Sequence, residues 1–262
     1  MSLTQPPGPL SRRPGHSNYA IDGPKHRLLL TPLRRRVRGE LAGEVVIDTE
    51  DAALLLETGL PPRLYVPLVD VRAGTLQRTA LSTHCPFKGD ASYRTVTAGD
   101  GVAEDALWVY DEPLSGAEWL RGLAGVYLDR FDRWYDEEDE VTGFPDPYHR
   151  VDLRRTARHV EIRARGEVIA TSDRALLLSE TGLQNRFYLP REDVTARLHG
   201  PTDTTSFCPY KGTASYWTLE LADGTQVPDA AWSYETPLPE TAPAAGYLSF
   251  WGDDVEVSAK FR

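Results

Sequence analysis

The stretch "THCPFKGDASY", residues 83–93, recurs almost unchanged as "SFCPYKGTASY", residues 206–216. The two copies contain both cysteines of the chain and two of its four lysines, namely Cys85, Lys88, Cys208 and Lys211. The proline and the glycine in each copy are typical of a tight turn. The question is whether the chain repeats only a turn or a chemical site.

The recurrence belongs to a longer internal repeat. Shifting the sequence by 123 positions aligns "ETGL" at Glu57 with "ETGL" at Glu180, and one inserted residue then aligns Trp108 with Trp232. Solenoid repeats are shorter, about 20–50 residues, so this period indicates a duplicated domain. The predicted organisation is a flexible N-terminal arm at 1–33, a first domain at 34–140, a structured linker at 141–157 and a second domain at 158–262.

Each half has the pattern of a mainly β domain. Segments such as "RLYVP", "SYWTLEL" and "ALWVYD" carry β-branched and aromatic residues, and turn residues separate them. A helical pattern occurs once in the first half, at 116–123, and its counterpart at 240–245 is interrupted by Pro243. We therefore expect two mainly β domains with one short helix each.

The combination of "ETGL…R.Y.P..DV", "CP[FY]KG.ASY", "D..W.Y..PL" and "DPYHRVD" resembles the DUF427 family in a tandem form. The resemblance extends from Arg34 to Lys260. It implies two tandem β-tent-like domains, similar to the Mss4-like fold, and no settled function. Many β-tent proteins hold zinc through two Cys-x-x-Cys pairs. This chain has no such pair, so we predict neither a metal site nor a cofactor.

Composition restricts the function classes. The net charge of −10 and the pI near 5.1 disfavour binding to nucleic acids or to anionic membranes. No apolar run approaches the roughly 20 residues that span a bilayer, and the N-terminal segment lacks the features of a secretory signal. We expect a soluble cytoplasmic protein. The duplication would form a pseudo-dimer within one chain, so a monomer is the expected state.

The repeated turn has two interpretations. In the first, the cysteine packs as a small buried side chain and the lysine is solvated. In the second, Cys85 with Lys88, and Cys208 with Lys211, are catalytic pairs in which the ammonium favours the thiolate. His84 could act as a base in the first half, but Phe207 replaces it in the second.

The "ETGL" segments also allow two interpretations. Glu57 with Arg63, and Glu180 with Arg186, could form ion pairs across the turn, each worth about 0–1 kcal/mol if exposed. Alternatively, the arginine, the neighbouring Tyr65 or Tyr188, and the lysine converge on an anionic ligand.

Aromatic residues of the later strands complete the candidate ligand site. Alternation places the tryptophan and tyrosine of one strand on the same face, which is either core or the wall of a pocket. The candidates are Tyr93, Trp108, Tyr110, Tyr216, Trp232 and Tyr234.

Two functions follow from these features. The first is a pocket for a small anionic or carbonyl-bearing molecule, used for cofactor-independent chemistry. The second is a non-catalytic ligand- or protein-binding module. Rapid labelling of either cysteine by a thiolate-selective reagent at neutral pH would favour the first.

Overall fold

The β-prone segments of both halves form antiparallel strands. The computed structural model describes residues 16–20 and 22–261, and the chain divides into two units at Tyr148/His149. Strands dominate both units, so the prediction of a mainly β, two-domain protein is confirmed.

The described residues of the first unit form eleven strands in two sheets. A seven-stranded sheet has the order β1-β4-β5-β9-β8-β7-β6, and a four-stranded sheet has the order β11-β10-β2-β3. The strands are β1 (Leu28–Pro32), β2 (Val37–Leu41), β3 (Glu44–Thr49), β4 (Ala53–Glu57), β5 (Arg63–Pro67), β6 (Leu76–Cys85), β7 (Gly89–Ala98), β8 (Gly101–Val109), β9 (Leu123–Val126), β10 (Arg133–Asp136) and β11 (Asp139–Val141).

The second unit also contains eleven strands, in three sheets. Their orders are β12-β15-β16, β14-β13-β22 and β17-β19-β20-β21, with β18 also paired to β19. The strands are β12 (Val151–Arg155), β13 (Arg158–Ala164), β14 (Glu167–Ser172), β15 (Leu176–Glu180), β16 (Arg186–Tyr188), β17 (Arg197–His199), β18 (Thr205–Cys208), β19 (Gly212–Glu220), β20 (Gln226–Ser233), β21 (Ser249–Phe250) and β22 (Val255–Phe261).

The large sheet of the first unit is interrupted in the second. The single strand β6 corresponds to β17 and β18, which are separated by a segment that contains Pro201. Proline has no N–H to donate to a sheet ladder, and Arg78 occupies the equivalent position in the first unit. In the first unit β5 pairs with β9 over three residues. At the equivalent place in the described part of the second unit, the pairing is a single β-bridge between Leu189 and Leu248.

The predicted helices are 3₁₀ turns. In the first half the helix covers only Glu118–Leu120, because Gly116 and Gly122 on either side have φ values of +89° and +80°. In the second half Pro239–Ala244 contains Pro243. The other 3₁₀ turns are Leu68–Asp70, Leu128–Arg130 and Arg191–Asp193. Within residues 16–20 and 22–261, no helix is long and apolar enough to cross a bilayer.

Each unit begins earlier than the predicted domain boundaries at residues 34 and 158. Strand β1 pairs with β4 and strand β12 pairs with β15 in the same register, with Leu28 opposite Glu57 and Val151 opposite Glu180. The predicted arm and linker therefore each contribute a strand to the unit that follows. Residues 1–15 and Ile21 of the predicted arm lie outside the described residues.

Each unit has a large aliphatic core and a smaller aromatic cluster. The aromatic cluster of the first unit includes Tyr65 and Trp108, and that of the second includes Tyr188, with Trp232 packed against it. The predicted aromatic site residues belong to these smaller clusters or pack against them. The site is therefore built beside the main core of each unit.

Candidate functional site

The repeated turn directs its lysine into the protein. The N–H of Lys88 donates to the carbonyl of Cys85 at 3.3 Å, and the N–H of Lys211 donates to that of Cys208 at 3.2 Å. Only 7% of Lys88 and 9% of Lys211 is exposed. The interpretation in which the lysines are solvated is therefore wrong, because a buried ammonium needs a partner inside the protein.

A glutamate of the "ETGL" segment supplies that partner in both units. The Nζ of Lys88 donates to Oε2 of Glu57, and the Nζ of Lys211 donates to Oε2 of Glu180 at 2.5 Å. Both carboxylates are buried, with side-chain exposures of 7% and 8%. Buried pairs of this kind keep their charges only when further hydrogen bonds satisfy the carboxylate.

A histidine binds the second oxygen of each carboxylate. Nε2 of His26 lies 2.8 Å from Oε1 of Glu57, and Nε2 of His149 lies 2.9 Å from Oε1 of Glu180. We call the three residues of each unit the His–Glu–Lys array. The predicted Glu–Arg ion pairs across the turn are wrong, because the charged partners within 4.0 Å of each glutamate are the histidine and the lysine of the array, and neither Arg63 nor Arg186 is among them.

The two histidines were missed by the sequence interpretation, although the repeat contained a signal for them. The shift of 123 positions that aligns the domains also aligns "PKHR" at Pro24 with "PYHR" at Pro147. Because these two segments were predicted to be a flexible arm and a linker, their histidines were not considered as site residues. In the structure the histidines stack on residues of the repeated turn, His26 on Phe87 with ring centroids 3.7 Å apart and His149 on Tyr210 at 4.1 Å.

Charge interactions within the array shift the pKa of Glu180. Burial by itself raises the pKa of this carboxyl, but the hydrogen bonds from His149 and Lys211 outweigh burial and hold the pKa below its usual value. The carboxylate is therefore ionised at neutral pH and supplies a negative charge beside the lysine.

The aromatic residues pack next to each array. The indole N–H of Trp108 donates to the hydroxyl of Tyr65 at 2.9 Å, and that of Trp232 donates to the hydroxyl of Tyr188 at 3.3 Å. Each pair of rings is edge to face. Burial raises the pKa of Tyr65, Tyr110, Tyr188 and Tyr234.

Tyr93 and Tyr216 bond to the strand before the turn. The hydroxyl of Tyr93 lies 2.9 Å from Oγ1 of Thr83, and that of Tyr216 lies 2.8 Å from Oγ of Ser206. These contacts tie β7 to β6 and β19 to β18 beside the repeated turn.

One position on the neighbouring strand differs between the units. Gly125 lies opposite Trp108 in the sheet, and a Cβ atom there would be 2.1 Å from the indole ring. The equivalent residue opposite Trp232 is Ser249, which has a Cβ. Trp108 is 8% exposed, whereas Trp232 is only half-buried. The serine thus accounts for the shallower position of Trp232.

In the second unit, seven predicted residues line one cavity of about 280 Å³. Those predicted residues are Glu180, Arg186, Tyr188, Lys211, Tyr216, Trp232 and Tyr234. Leu178, Leu183, Asp229 and Trp251 complete the lining. The predicted convergence of arginine, tyrosine and lysine is therefore observed in this unit.

Arg63 of the first unit lies in a different setting. It lines an open cavity of about 630 Å³ together with Tyr127 and residues of the β10–β11 hairpin. Strand β10 of this hairpin corresponds to β22 of the second unit, and β11 is an additional strand that pairs with β10. Tyr65 and Lys88 are buried, with 1% and 7% exposure, and do not line that cavity.

His84 is separate from the His–Glu–Lys array. It lies on the surface, and its Nδ1 is 2.7 Å from Oδ1 of Asp90. The histidine next to the lysine in the first unit is His26. His84 was chosen from its position beside Cys85 in sequence, but alternate residues of a strand point to opposite faces.

Both cysteines are half-buried free thiols. Cys85 packs against the aromatic cluster of the first unit, and Cys208 is not among the residues that line the cavity of the second. No group of three or more His, Cys, Asp or Glu side chains within the described part of the chain could hold a metal ion.

The comparisons with known proteins agree with the repeated geometry. The model of a domain of unknown function, DUF427, matches residues 29–137 and again residues 152–260. No curated protein matches the chain. The two matches contain the glutamate and the lysine of each array. His26 and His149 lie three residues before the first residue of their matches. The chain therefore belongs to the DUF427 family and contains two tandem copies of its domain.

Proposed function

We propose that the second unit binds a small anionic or carbonyl-bearing molecule in its aromatic cavity. The observation that carries the proposal is the position of Lys211, which lines the cavity while its ammonium is held by Glu180. A lysine ammonium has three N–H donors. Among the described residues only Glu180 accepts one of them, so the others are available to a ligand oxygen.

Arg186 supports the same ligand charge. Its side chain lines the cavity, and no acidic side chain of the described residues lies within 4.0 Å of its nitrogen atoms. Buried or half-buried arginines commonly bind carboxylates through two parallel hydrogen bonds. The lining also contains the carboxylates of Glu180 and Asp229, which accept hydrogen bonds from Lys211 and from Thr202 and Thr204. Arg186 is therefore the cation of this cavity that can bind an anionic ligand, even though the whole protein is acidic.

The charge state of the array favours one role for the lysine. Because Nζ of Lys211 donates to the ionised Glu180, its role is that of a hydrogen-bond donor and not of a nucleophile that attacks a carbonyl carbon. A fixed ammonium in a partly dry cavity stabilises negative charge that develops on a carbonyl oxygen. Cofactor-independent catalysis on a carbonyl substrate is therefore the enzymatic form of the proposal. The binding module without turnover is its alternative, and analysis of products by NMR separates the two.

The catalytic role of Cys85 and Cys208 remains a prediction. Labelling with iodoacetamide at neutral pH, followed by peptide mass spectrometry, tests it. Rapid modification compared with free cysteine would support a thiolate. Modification at or below the rate of free cysteine would leave the chemistry to Lys88 and Lys211 alone.

The main experiment measures binding of small carboxylates to the full-length protein by calorimetry. We expect Arg186→Met to weaken binding at least tenfold. Arg191→Met is the matched control, because Arg191 also lies over a tryptophan, Trp217, at 4.4 Å but forms an ion pair with Glu235 at 3.1 Å. Absence of binding to any carboxylate, or an equal loss in both variants, would overturn the proposal.

Three further expectations belong to this proposal. The domains are β-tent-like, the protein acts in the cytoplasm, and it needs no second copy because each chain already has two domains. An experimental structure tests the first, cell fractionation tests the second, and light scattering of the purified protein tests the third.

A further inference from the structure

Trp251 is an exposed tryptophan at the edge of the second unit's cavity. It follows β21, lines the cavity, and leaves 60% of its surface exposed. Apolar surface in contact with water costs about 25 cal/mol per Å², so a ligand that covers this ring is favoured. The equivalent residue of the first unit is Tyr127, which is half-buried.

Arg186 lies against the same ring. Its guanidinium carbon is 4.1 Å from the ring centroid of Trp251 and 6.0 Å from that of Trp232. A guanidinium over an aromatic face keeps its N–H donors in its own plane, directed away from the ring. This cation–π contact supports the side chain of Arg186 without using its N–H groups in an ion pair.

A carboxylate that binds these N–H groups through both oxygens lies in the plane of the guanidinium. In an aromatic carboxylate the ring is conjugated with the carboxylate and continues that plane. A saturated ring is puckered and does not. A flat ring can also stack on the exposed part of the Trp251 indole, whereas a puckered ring of equal charge makes a poorer contact with it.

The size and walls of the cavity restrict the ligand further. Its volume of about 280 Å³ is at the lower end of ligand pockets, which are about 300–1,000 Å³. Burial raises the pKa of Tyr188 and of Tyr234, so their hydroxyls stay neutral and do not repel an anion. The Lys211–Glu180 pair has no net charge, and the two oxygens of Asp229, which also lines the cavity, accept hydrogen bonds from Thr202 and Thr204. Arg186 therefore remains as the cation for one carboxylate.

We infer that the cavity takes planar aromatic monocarboxylates and that Trp251 is the residue that selects the flat ring. This inference rests on the proposed function, because it specifies the ligand class of the same cavity. The carboxylate binds N–H groups of Arg186, and the aromatic ring packs against the part of the Trp251 indole that Arg186 leaves exposed.

The test compares benzoate with cyclohexanecarboxylate, which have the same charge and the same number of non-hydrogen atoms. Calorimetry on the full-length protein should show about 3- to 10-fold tighter binding of benzoate, as expected from aromatic stacking. Trp251→Leu should reduce this preference to less than about twofold while both acids still bind. Trp119→Leu is the control, because Trp119 is also exposed, at 39%, but belongs to the other unit.

The outcomes separate the two proposals. Failure of both acids to bind the wild-type protein, while other small carboxylates bind, overturns this inference alone. Absence of binding to every small carboxylate overturns the proposed function and this inference with it. Equal binding of the two acids overturns the planar-ligand inference alone. A preference for benzoate that persists in Trp251→Leu removes Trp251 as the selecting residue. Circular dichroism and thermal unfolding of each variant verify that it is folded.

Discussion

The two units have the same His–Glu–Lys array but different residues around it. In the first unit Gly125 allows Trp108 to pack closely against the neighbouring strand, and Tyr127 contacts that tryptophan with ring centroids 4.7 Å apart. In the second unit Ser249 and Trp251 occupy the equivalent positions, and Trp232 lines a cavity. The comparison shows that access to the array depends on small residues next to it. The charged groups themselves are unchanged.

The difference has a simple physical origin. A buried ion pair tolerates little change, because the loss of one partner leaves an uncompensated charge in a poorly solvated place. An aromatic wall tolerates changes of volume at a cost of about 1–3 kcal/mol. After duplication, the walls could therefore diverge while both arrays stayed the same.

The largest expected effect comes from removal of the carboxylate charge. Glu57→Gln and Glu180→Gln should each destabilise their own unit by about 3–5 kcal/mol, because the buried lysine loses its counter-charge. Native-state hydrogen exchange of β4 and of β15 measures the two units separately. Glu192→Gln is the control, since its carboxylate pairs with Arg174 and its side chain is 66% exposed. A loss below 1 kcal/mol in the array variants would contradict the buried pair.

Gly125→Ser tests the origin of the difference between the units. The new Cβ overlaps the ring of Trp108, so we expect a loss of about 1–3 kcal/mol in the first unit. The reciprocal change Ser249→Gly should let Trp232 pack more deeply and weaken carboxylate binding to the second unit. Hydrogen exchange and calorimetry provide the two measurements. A neutral Gly125→Ser together with unchanged binding in Ser249→Gly would show that this position does not control access.

Acid pH should affect the second unit through Glu180 by a smaller amount. The folded-state pKa of Glu180 is lowered, so its ionised form stabilises the unit above the usual glutamate pKa of about 4.3. This contribution is lost as the pH falls through the lowered pKa. Urea unfolding between pH 7 and pH 3 should therefore show a shallower acid loss in Glu180→Gln. Glu256→Gln, which changes an exposed residue, should follow the wild-type curve.

The smallest effect concerns His84. Because this side chain pairs with Asp90 on the surface, His84→Asn should change stability by no more than about 0.5 kcal/mol and leave ligand binding unchanged. His26→Asn provides the contrast, since it removes a hydrogen bond to a buried carboxylate worth about 1.5–3 kcal/mol. Urea unfolding of both variants checks the prediction. A larger loss of stability or of ligand binding in His84→Asn would show that this histidine contributes to the site.

The sequence alone was sufficient for the features that depend on local pattern. The repeat, the mainly β class and the turn around Lys88 and Lys211 follow from alternation, turn residues and self-similarity. Each of these features involves neighbours in sequence or a direct comparison of the two halves. The convergence of arginine, tyrosine and lysine was only one of two interpretations for both halves, and these residues line one cavity in the second unit alone.

Only the tertiary structure decided which groups pair with the lysines. His26 and Lys88 are each 31 residues from Glu57 in sequence, and the pairing of β1 with β4 brings the segment of His26 to that carboxylate. Strand pairing of this kind depends on packing over the whole unit, so no local pattern reveals it. The cavity is also a tertiary property, because it involves the residue opposite each tryptophan on the adjacent strand. That residue is Gly125 in the first unit and Ser249 in the second.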